Sequence, residues 1–134
     1  MKKYLITLIL VACLSGCKKE DLAVKFTGKY SGVATAQQMP DYSTVITYPD
    51  CRLTISEINR KTIRLVIVPD PADPSTSIVT ECKINSATEF GQVTGARGAY
   101  TIIVQGKLQG SLLDYKNETS GYGPSKFTFK GNRQ

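Results

Sequence analysis

Residues 62–68 read Thr-Ile-Arg-Leu-Val-Ile-Val, and Ile63, Leu65 and Ile67 occupy every second position of this run. Arg64 lies between the first two of them, on the opposite face. Because successive side chains of a strand point to opposite sides of a sheet, this alternation predicts a strand that is buried on one side. Asn59-Arg60-Lys61 is predicted to turn the chain into this strand from the one before it.

The same alternation recurs along the rest of the chain, and no helical period of apolar residues follows residue 25. The predicted strands cover residues 52–57, 62–68, 78–84, 88–94, 100–104, 108–115 and 126–130, after an opening segment that begins at Phe26. Residues 69–77 are predicted to form a loop, because three prolines cannot take part in a strand ladder. Gly106 is predicted to separate two strands, and residues 116–125 to form a polar connection.

About eight or nine short strands with turn signals between them indicate an all-β domain, with a β-barrel and a β-sandwich as the two alternatives. We favour a single antiparallel β-barrel of about eight strands, because closure removes the unpaired edges that a lone sheet exposes. The predicted inner layer consists of Leu53, Ile55, Ile63, Leu65, Ile67, Ile78, Ile84, Ile102, Val104, Leu108, Phe127 and Phe129. Their neighbours along each strand are predicted to face solvent.

The N-terminus carries an export signal. Lys2 and Lys3 precede an apolar run over residues 4–14, which is too short to span a bilayer. Residues 14–17, Leu-Ser-Gly-Cys, resemble the lipobox of bacterial lipoproteins. That resemblance implies cleavage before Cys17 and its acylation with diacylglycerol and palmitate; the alternative is an ordinary signal peptide with a chance cysteine. We therefore expect a signal peptide over 1–16, a lipidated charged tether over 17–25 and a barrel domain over 26–134.

The residues after Cys17 indicate where in the cell the protein is located. Lys18-Lys19-Glu20-Asp21 resembles the short export signal that sends lipoproteins of some Gram-negative bacteria to the cell surface. The alternative is a solvated tether, since four charged residues in a row cannot join a core. We expect a lipid-anchored protein of the cell outer membrane, with exposure at the cell surface as a further hypothesis.

The remaining cysteines predict a disulfide. Cys13 leaves with the signal peptide and Cys17 is lipidated, so Cys51 and Cys82 remain in an oxidising compartment. A bond between them would stabilise the fold by roughly 3.5–4 kcal/mol. The alternative is two separate buried cysteines that act as small hydrophobic side chains.

The two ends of the domain resemble those of small lipocalin-like (calycin-like) lipoproteins of Gram-negative bacteria. Gly28-Lys29-Tyr30 opens the domain and Phe127-Thr-Phe-Lys-Gly131 closes it. In lipocalins a Gly-x-Trp opening stacks its indole on a late basic residue. Here the resemblance implies Tyr30 in the aromatic position and Lys130 or Arg133 as the cation, with no Trp anywhere in the chain.

The composition argues against several classes of function. The chain has no histidine, and with both cysteines paired no thiolate nucleophile would remain, so we expect no enzyme, no metal and no cofactor. Asp70 and Asp73 lie among prolines, where turn geometry is the usual reason for aspartate. Removing Lys2 and Lys3 from the formal charge of +6 leaves +4, carried on scattered residues, which indicates solubility rather than a nucleic-acid partner.

Three hypotheses of function remain. The first is a lipid-anchored binding protein of the cell envelope whose barrel holds a small apolar or sugar ligand. Tyr42, Tyr48, Tyr115 and Tyr122 are predicted at strand ends, where they either contact such a ligand or plug the barrel. The second is an accessory or interaction subunit of a surface complex, or a hydrolase inhibitor. An enzyme is the third. The sequence identifies no ligand-binding residue and no oligomeric state.

Overall fold

The computed structural model describes residues 20–38, 43–96, 99–121 and 125–134. These residues form a closed antiparallel barrel in which each strand pairs with the next and β8 pairs with β1. The elements are α1 (Leu22–Phe26), β1 (Gly28–Gln38), β2 (Val45–Asn59), β3 (Thr62–Val68), a 3-10 turn (Pro74–Thr76), β4 (Ile78–Ile84), β5 (Glu89–Ala96), β6 (Tyr100–Gln109), β7 (Leu112–Gly121) and β8 (Ser125–Arg133). The prediction of an eight-stranded barrel is confirmed, and the sandwich alternative is excluded by the closure of the sheet.

The inner layer of the barrel follows the alternation of the sequence. In the pairing of β3 with β4, Ile63 lies opposite Cys82 and Ile67 opposite Ile78, so these side chains share the inner face. Every member of the predicted inner layer is either buried in the core or packed against it. Strands β3 and β4 also have the bounds that the sequence predicted.

The prediction of a chain break at Gly106 is wrong. Strand β6 continues through this residue, which pairs with Phe90 on one side and Tyr115 on the other. A Cβ atom at position 106 would collide with the ring of Phe90, so glycine is present to make room for that ring inside the barrel. The turn lies instead at Gly110, whose φ of 62° is a conformation that glycine adopts readily.

The polar connection predicted over residues 116–125 is also wrong over most of its length, because β7 extends to Gly121. Lys116 and Glu118 lie on the outer face of β7, where Lys116 Nζ approaches Glu118 Oε2 to 2.7 Å. Asn117 lies between them, on the inner face opposite Phe127. The run looked like a loop because polar side chains occupy both faces of the strand.

A short helix closes one end of the barrel, here called the closed end. Asp21 Oδ1 accepts a hydrogen bond from Ala23 N at 3.1 Å and caps α1, while Glu20 Oε1 forms an ion pair with Lys25 Nζ at 2.7 Å. Ala23 and Phe26 are fully buried. Residues 22–25, which the sequence analysis placed in the tether, therefore belong to the folded domain.

Tyr30 and Arg133 hold this helix in place. Arg133 Cζ lies 5.4 Å from the centroid of the Tyr30 ring, and its Nη2 donates a hydrogen bond to Tyr30 Oη at 2.8 Å. Tyr30 Oη donates in turn to the Phe26 carbonyl at 2.7 Å, and Arg133 Nη2 also donates to the Lys25 carbonyl. Of the two cations that the lipocalin-like resemblance implied, Arg133 occupies the position, and Lys130 is exposed on the outer face.

The predicted Cys51–Cys82 disulfide is not formed, and both residues are buried free thiols. Cys82 of β4 pairs with Ile63, near the start of β3. Cys51 of β2 comes directly before Arg52, which pairs with Val68 at the end of β3. The run from Ile63 to Val68 covers roughly 17 Å along a strand, and the Cα atoms of a disulfide lie within about 7 Å of each other. Alternation put both residues on the inner face but did not show that they lie at different levels of the barrel.

Candidate functional site

The lumen of the barrel has two halves, and the half near α1 is filled by aromatic rings. The Phe26 and Phe90 rings meet edge to face with their centroids 5.4 Å apart. Phe90 lies 6.5 Å from Tyr115, which lies 6.4 Å from Phe127. Because these rings are buried and in contact, they leave the closed half no room for a ligand.

The other half of the lumen is lined by smaller side chains that are only partly buried. Register places Thr80 opposite Leu65, Ile102 opposite Thr119 and Asn117 opposite Val104, so these residues face inward. The inward residues of this half that are partly buried are Ala36, Ile78, Thr80, Gln92, Ile102, Asn117 and Thr119. They line the end of the barrel away from α1, here called the open cup, around the ring of Phe127 and next to that of Tyr115.

Two buried polar atoms lie next to the open cup, Tyr115 Oη and Asn117 Oδ1, and neither makes a hydrogen bond of good geometry within the described residues. Burial raises the pKa of Tyr115 well above its usual range, and the neighbouring Cys82 adds to that rise. Hydrogen bonding to the Thr80 and Asn117 side chains opposes this rise in the pKa of the phenol, so its hydroxyl lies within reach of both, in contacts looser than ideal hydrogen bonds.

None of the charged side chains of the described residues is buried, and Arg133, which contacts the buried Tyr30, does so at the closed end and not in the open cup. The cross-strand pairs show the arrangement: Arg64 Nη2 approaches Glu81 Oε1 to 2.8 Å, and Lys126 Nζ approaches Glu118 Oε1 to 3.9 Å, both outside the barrel. The inward positions of the open cup are apolar or uncharged. Its lining therefore offers hydrogen bonds and apolar contact but no ion pair.

The wall of the barrel is weakest at the junction between β4 and β5. The two strands pair only through Lys83 with Gly91 and Ile84 with Phe90. Beyond these pairs the ladder stops, and Thr80 and Gln92 flank the junction on its inner side. Val79 and Val93 flank it on the outer side, with 60% and 72% of their surface exposed. The junction thus combines unpaired strand edges with exposed apolar side chains beside the open cup.

A separate groove of about 920 Å³ lies at the surface, where the first part of β2 meets β1 and the loop after β3. Asp50, Arg52 and Asp70 line it. Asp70 Oδ1 accepts a hydrogen bond from Ala72 N at 2.9 Å, and Asp73 Oδ1 accepts one from Ser75 N at 3.2 Å. The interpretation of Asp70 and Asp73 as turn residues is confirmed, since their carboxylates bind the backbone of their own loop.

Only some of the site residues that the sequence predicted lie among the residues that the structure describes. Cys17 lies outside the described residues, as do Tyr42 and Tyr122. Tyr48 is partly buried and packs against the core. Tyr115 was predicted near a strand end, but it lies fully buried in the middle of the barrel.

Sequence reasoning missed Thr80 and Asn117. The available signal was a polar residue in an inward position of an otherwise apolar alternation, as at Thr80 between Ile78 and Cys82.

The two buried thiols are held in their protonated form. Burial raises the pKa of Cys51 to about 11 and that of Cys82 to about 12, so both remain protonated at neutral pH. Across residues 20–38, 43–96, 99–121 and 125–134, no three His, Cys, Asp or Glu side chains are grouped to bind a metal ion. The same ranges contain no helix long and apolar enough to cross a membrane.

Comparison with known proteins supports the fold and goes no further. No family model matches the sequence, and no curated protein is significantly similar to it. The chain is similar to the crystal structure of a protein from Bacteroides fragilis named as a putative outer membrane protein, with a TM-score of 0.57 and 18% sequence identity. The match covers 84% of this chain and 53% of the other, so the present chain spans about half the length of that protein.

Proposed function

We propose that this protein is a lipid-anchored, lipocalin-like binding protein of the cell envelope that holds a small ligand in the open cup. The observation that carries the proposal is the contrast in burial along the lumen. Rings fill the closed half, whereas the inward side chains of the open half remain partly accessible. An accessible, mixed apolar and polar wall above a rigid, filled half is the arrangement of a small-molecule site.

Two further observations support the location and the kind of barrel. The lipobox-like residues 14–17 support a lipid anchor at Cys17, and the Bacteroides fragilis protein of similar fold is named as an outer membrane protein, which supports that membrane. The contact of Arg133 with Tyr30 supports a lipocalin-like barrel, because it pairs an opening aromatic residue with a late cation.

Native mass spectrometry of the lipoprotein purified from its own cells tests the ligand. We expect a retained small molecule that is lost in Ala36→Phe, which adds a ring to the inner face at the position paired with Phe127. Val33→Phe on the exposed outer face of the same strand is the matched control and should retain the molecule. A protein that carries no molecule, together with an Ala36→Phe variant of unchanged behaviour, would contradict the proposal.

The anchor has its own test in Cys17→Ala. We expect the variant to accumulate as an unprocessed precursor that incorporates no labelled palmitate, because the thiol is the site of acylation. Labelling equal to that of the unmodified protein would remove the lipid anchor from the proposal without affecting the ligand site.

A second candidate function, an interaction subunit of a surface complex, is favoured by the junction between β4 and β5. Unpaired strand edges pair readily with an added strand, and Val79 and Val93 offer apolar contact beside them. Photo-crosslinking in cells from position 93, compared with the exposed position 33, tests this candidate. A crosslinked protein specific to position 93 supports it, and equal crosslinking from both positions opposes it.

A further inference from the structure

The closed end of the barrel carries exposed apolar side chains where the chain enters the domain. Val24 of α1 has 59% of its surface exposed, and Ile58 near the end of β2 has 43%. The helix packs against β2 and β3, so it lies beside the turn that joins these two strands. We call the surface made by α1 and residues 58–61 the basal surface. Single exposed apolar side chains are common on proteins, so the meaning of this pair depends on the charges around it and on its place in the chain.

The helix turns one of its faces away from the barrel. Ala23 and Phe26 are fully buried against the core, three positions apart on one face. Val24 and Lys25 lie between them in sequence and project from the opposite face, since successive residues of a helix are rotated by about 100°. The outer face of α1 therefore presents an apolar side chain beside a basic one.

The turn beside the helix is basic. Arg60 and Lys61 are exposed, and neither forms an ion pair among the described residues. Lys25 is offset by its ion pair with Glu20, and Glu57 adds one negative charge before the turn. Exposed apolar side chains flanked by cations suit an anionic lipid surface, because the apolar groups enter the headgroup region while the cations pair with phosphates.

The open end has the opposite charge. Asp50 and Asp70 line the surface groove together with Arg52, and Asp73 lies in the same loop as Asp70. None of these three carboxylates forms an ion pair with another described residue. A negatively charged membrane would therefore attract the basal surface and repel the loop at the open end.

The proposed anchor makes the basal surface the part of the domain nearest to the membrane. Cys17 precedes Glu20 by three residues, and three residues of extended chain span at most about 11 Å. Because α1 begins at Leu22 and covers the closed end, an acylated Cys17 would hold this end close to the lipid headgroups. Lys18 and Lys19 add positive charge to the connecting residues.

We propose that the basal surface docks on the anionic phospholipids of the membrane that carries the anchor, with Val24 and Ile58 among the headgroups and Arg60 and Lys61 against the phosphates. The inference rests on the proposed lipid anchor and goes beyond it, because an anchor alone leaves the barrel free to tumble. A docked barrel stands on its closed end. The open cup and the surface groove then face away from the membrane, toward molecules in solution.

Tryptophan quenching by brominated lipid tests the docked orientation. The chain has no tryptophan, so a single introduced residue gives one emission signal. The acylated full-length protein is reconstituted into vesicles of phosphatidylcholine and phosphatidylglycerol in equal amounts, with bromine on the acyl chains close to the headgroups. We expect Val24→Trp and Ile58→Trp each to lose at least about half of their emission relative to vesicles without bromine. Val45→Trp and Val93→Trp, at exposed apolar positions away from the basal surface, should lose little.

The role of the basic turn is tested in the Val24→Trp protein. Arg60→Ala and Lys61→Ala should each lower the ratio of docked to undocked protein about fivefold, the contribution of one basic side chain near an anionic surface. Vesicles of phosphatidylcholine alone should lower the ratio further. Arg52→Ala at the open end and Lys130→Ala on the outer face of β8 are the matched controls and should leave it unchanged.

The outcomes separate docking from the anchor. Failure of the protein to float with the vesicles would remove the anchor and the docking together. If it floats, but Val24→Trp and Ile58→Trp are quenched no more than Val45→Trp, the anchor stands and the docking is wrong, as it would be if a protein partner covered the basal surface instead. Quenching that is the same without phosphatidylglycerol, or without Arg60 and Lys61, would overturn the recognition of anionic lipid. Because positions 24 and 58 lie on different elements, one variant that fails to fold leaves the other to decide.

Discussion

The closed end and the open cup are built from the same eight strands but differ in what fills them. At the closed end α1 covers the lumen, Phe26 packs on Phe90, and Arg133 joins Tyr30 to the last turn of the helix. In the open cup the inward positions carry smaller residues such as Ala36 and Thr119, and no helix of the described residues covers them. From this contrast we expect stability to be concentrated at the closed end, whereas the proposed ligand site lies at the other.

The two buried thiols show the same contrast in a chemical property. Cys82 lies toward the closed end, opposite Ile63, and Cys51 lies toward the open end, beyond the pair of Arg52 with Val68. Burial raises the pKa of Cys82 to about 12 and that of Cys51 to about 11. The pKa is raised further for the thiol toward the closed end, although both side chains are fully buried.

The largest effect is expected from truncating a ring at the closed end. Phe90→Ala should lower the free energy of unfolding by about 3–5 kcal/mol, because the cavity it leaves is enclosed by Phe26, Tyr115 and Gly106. Ile102→Ala in the wall of the cup should lower it by less than about 2 kcal/mol, since this side chain is already partly exposed. Urea denaturation measures both, and equal losses would mean that the two halves are packed alike.

A smaller effect is expected from removing the Arg133 side chain, which joins Tyr30 to α1. Arg133→Ala removes charged hydrogen bonds to Tyr30 Oη and to the Lys25 carbonyl, which should lower the free energy of unfolding by about 1.5–3 kcal/mol. Lys130→Ala, a basic residue of the same strand that is exposed, should change it by about 0.5 kcal/mol or less. Similar losses in the two variants would show that Arg133 does not secure the closed end.

The thiols predict a loss of stability at alkaline pH. Their pKa values are raised on folding from an ordinary value near 9, so the folded state binds more protons than the unfolded state above that pH. Stability is full below pH 9 and falls as pH rises, toward pH 11 for Cys51 and pH 12 for Cys82. Each thiol should account for about 1.4 kcal/mol by pH 10.

Urea melts of Cys51→Ala and Cys82→Ala across pH 8 to 10 check this expectation, and each variant should lose less stability with pH than the unmodified protein. Alkylation of the native protein provides the comparison between the two ends, since Cys51 should react before Cys82. Resistance of both thiols to alkylation after denaturation without reductant would restore the disulfide.

The smallest effect is expected on the outer surface, where the two halves should not differ. Arg64→Ala removes an ion pair with Glu81 whose side chains are about half exposed, and Lys126→Ala removes a similar pair with Glu118 beside the open cup. Each should lower the free energy of unfolding by about 0.5 kcal/mol or less. A large loss of stability at either position would mean that contacts on the outer surface contribute to the difference in stability between the two ends.

The sequence by itself determined the inner layer of the barrel and the bounds of β3 and β4. Period-two alternation is a local property, so residues 62–68 and 78–84 were bounded correctly and the inner layer was identified. The prolines of residues 69–77 excluded a strand for an equally local reason. Arg133 and Tyr30 were paired only through a resemblance, and the choice between Arg133 and Lys130 required the register of β8 on β1.

Only the tertiary structure decided which inward residues meet inside the barrel. Gly106 was taken for a break because the ring that needs its space, Phe90, comes from another strand. Cys51 and Cys82 share the inner face but lie at different levels, which depends on how β2 and β4 are staggered against β3. The surroundings of the cup depend in the same way on closure, which brings the Tyr115 hydroxyl of β7 beside Thr80 of β4. Alternation along a strand specifies which face of the sheet a side chain occupies. The stagger of the strands and the closure of the barrel decide which side chains from different strands meet, and the candidate site consists of such side chains.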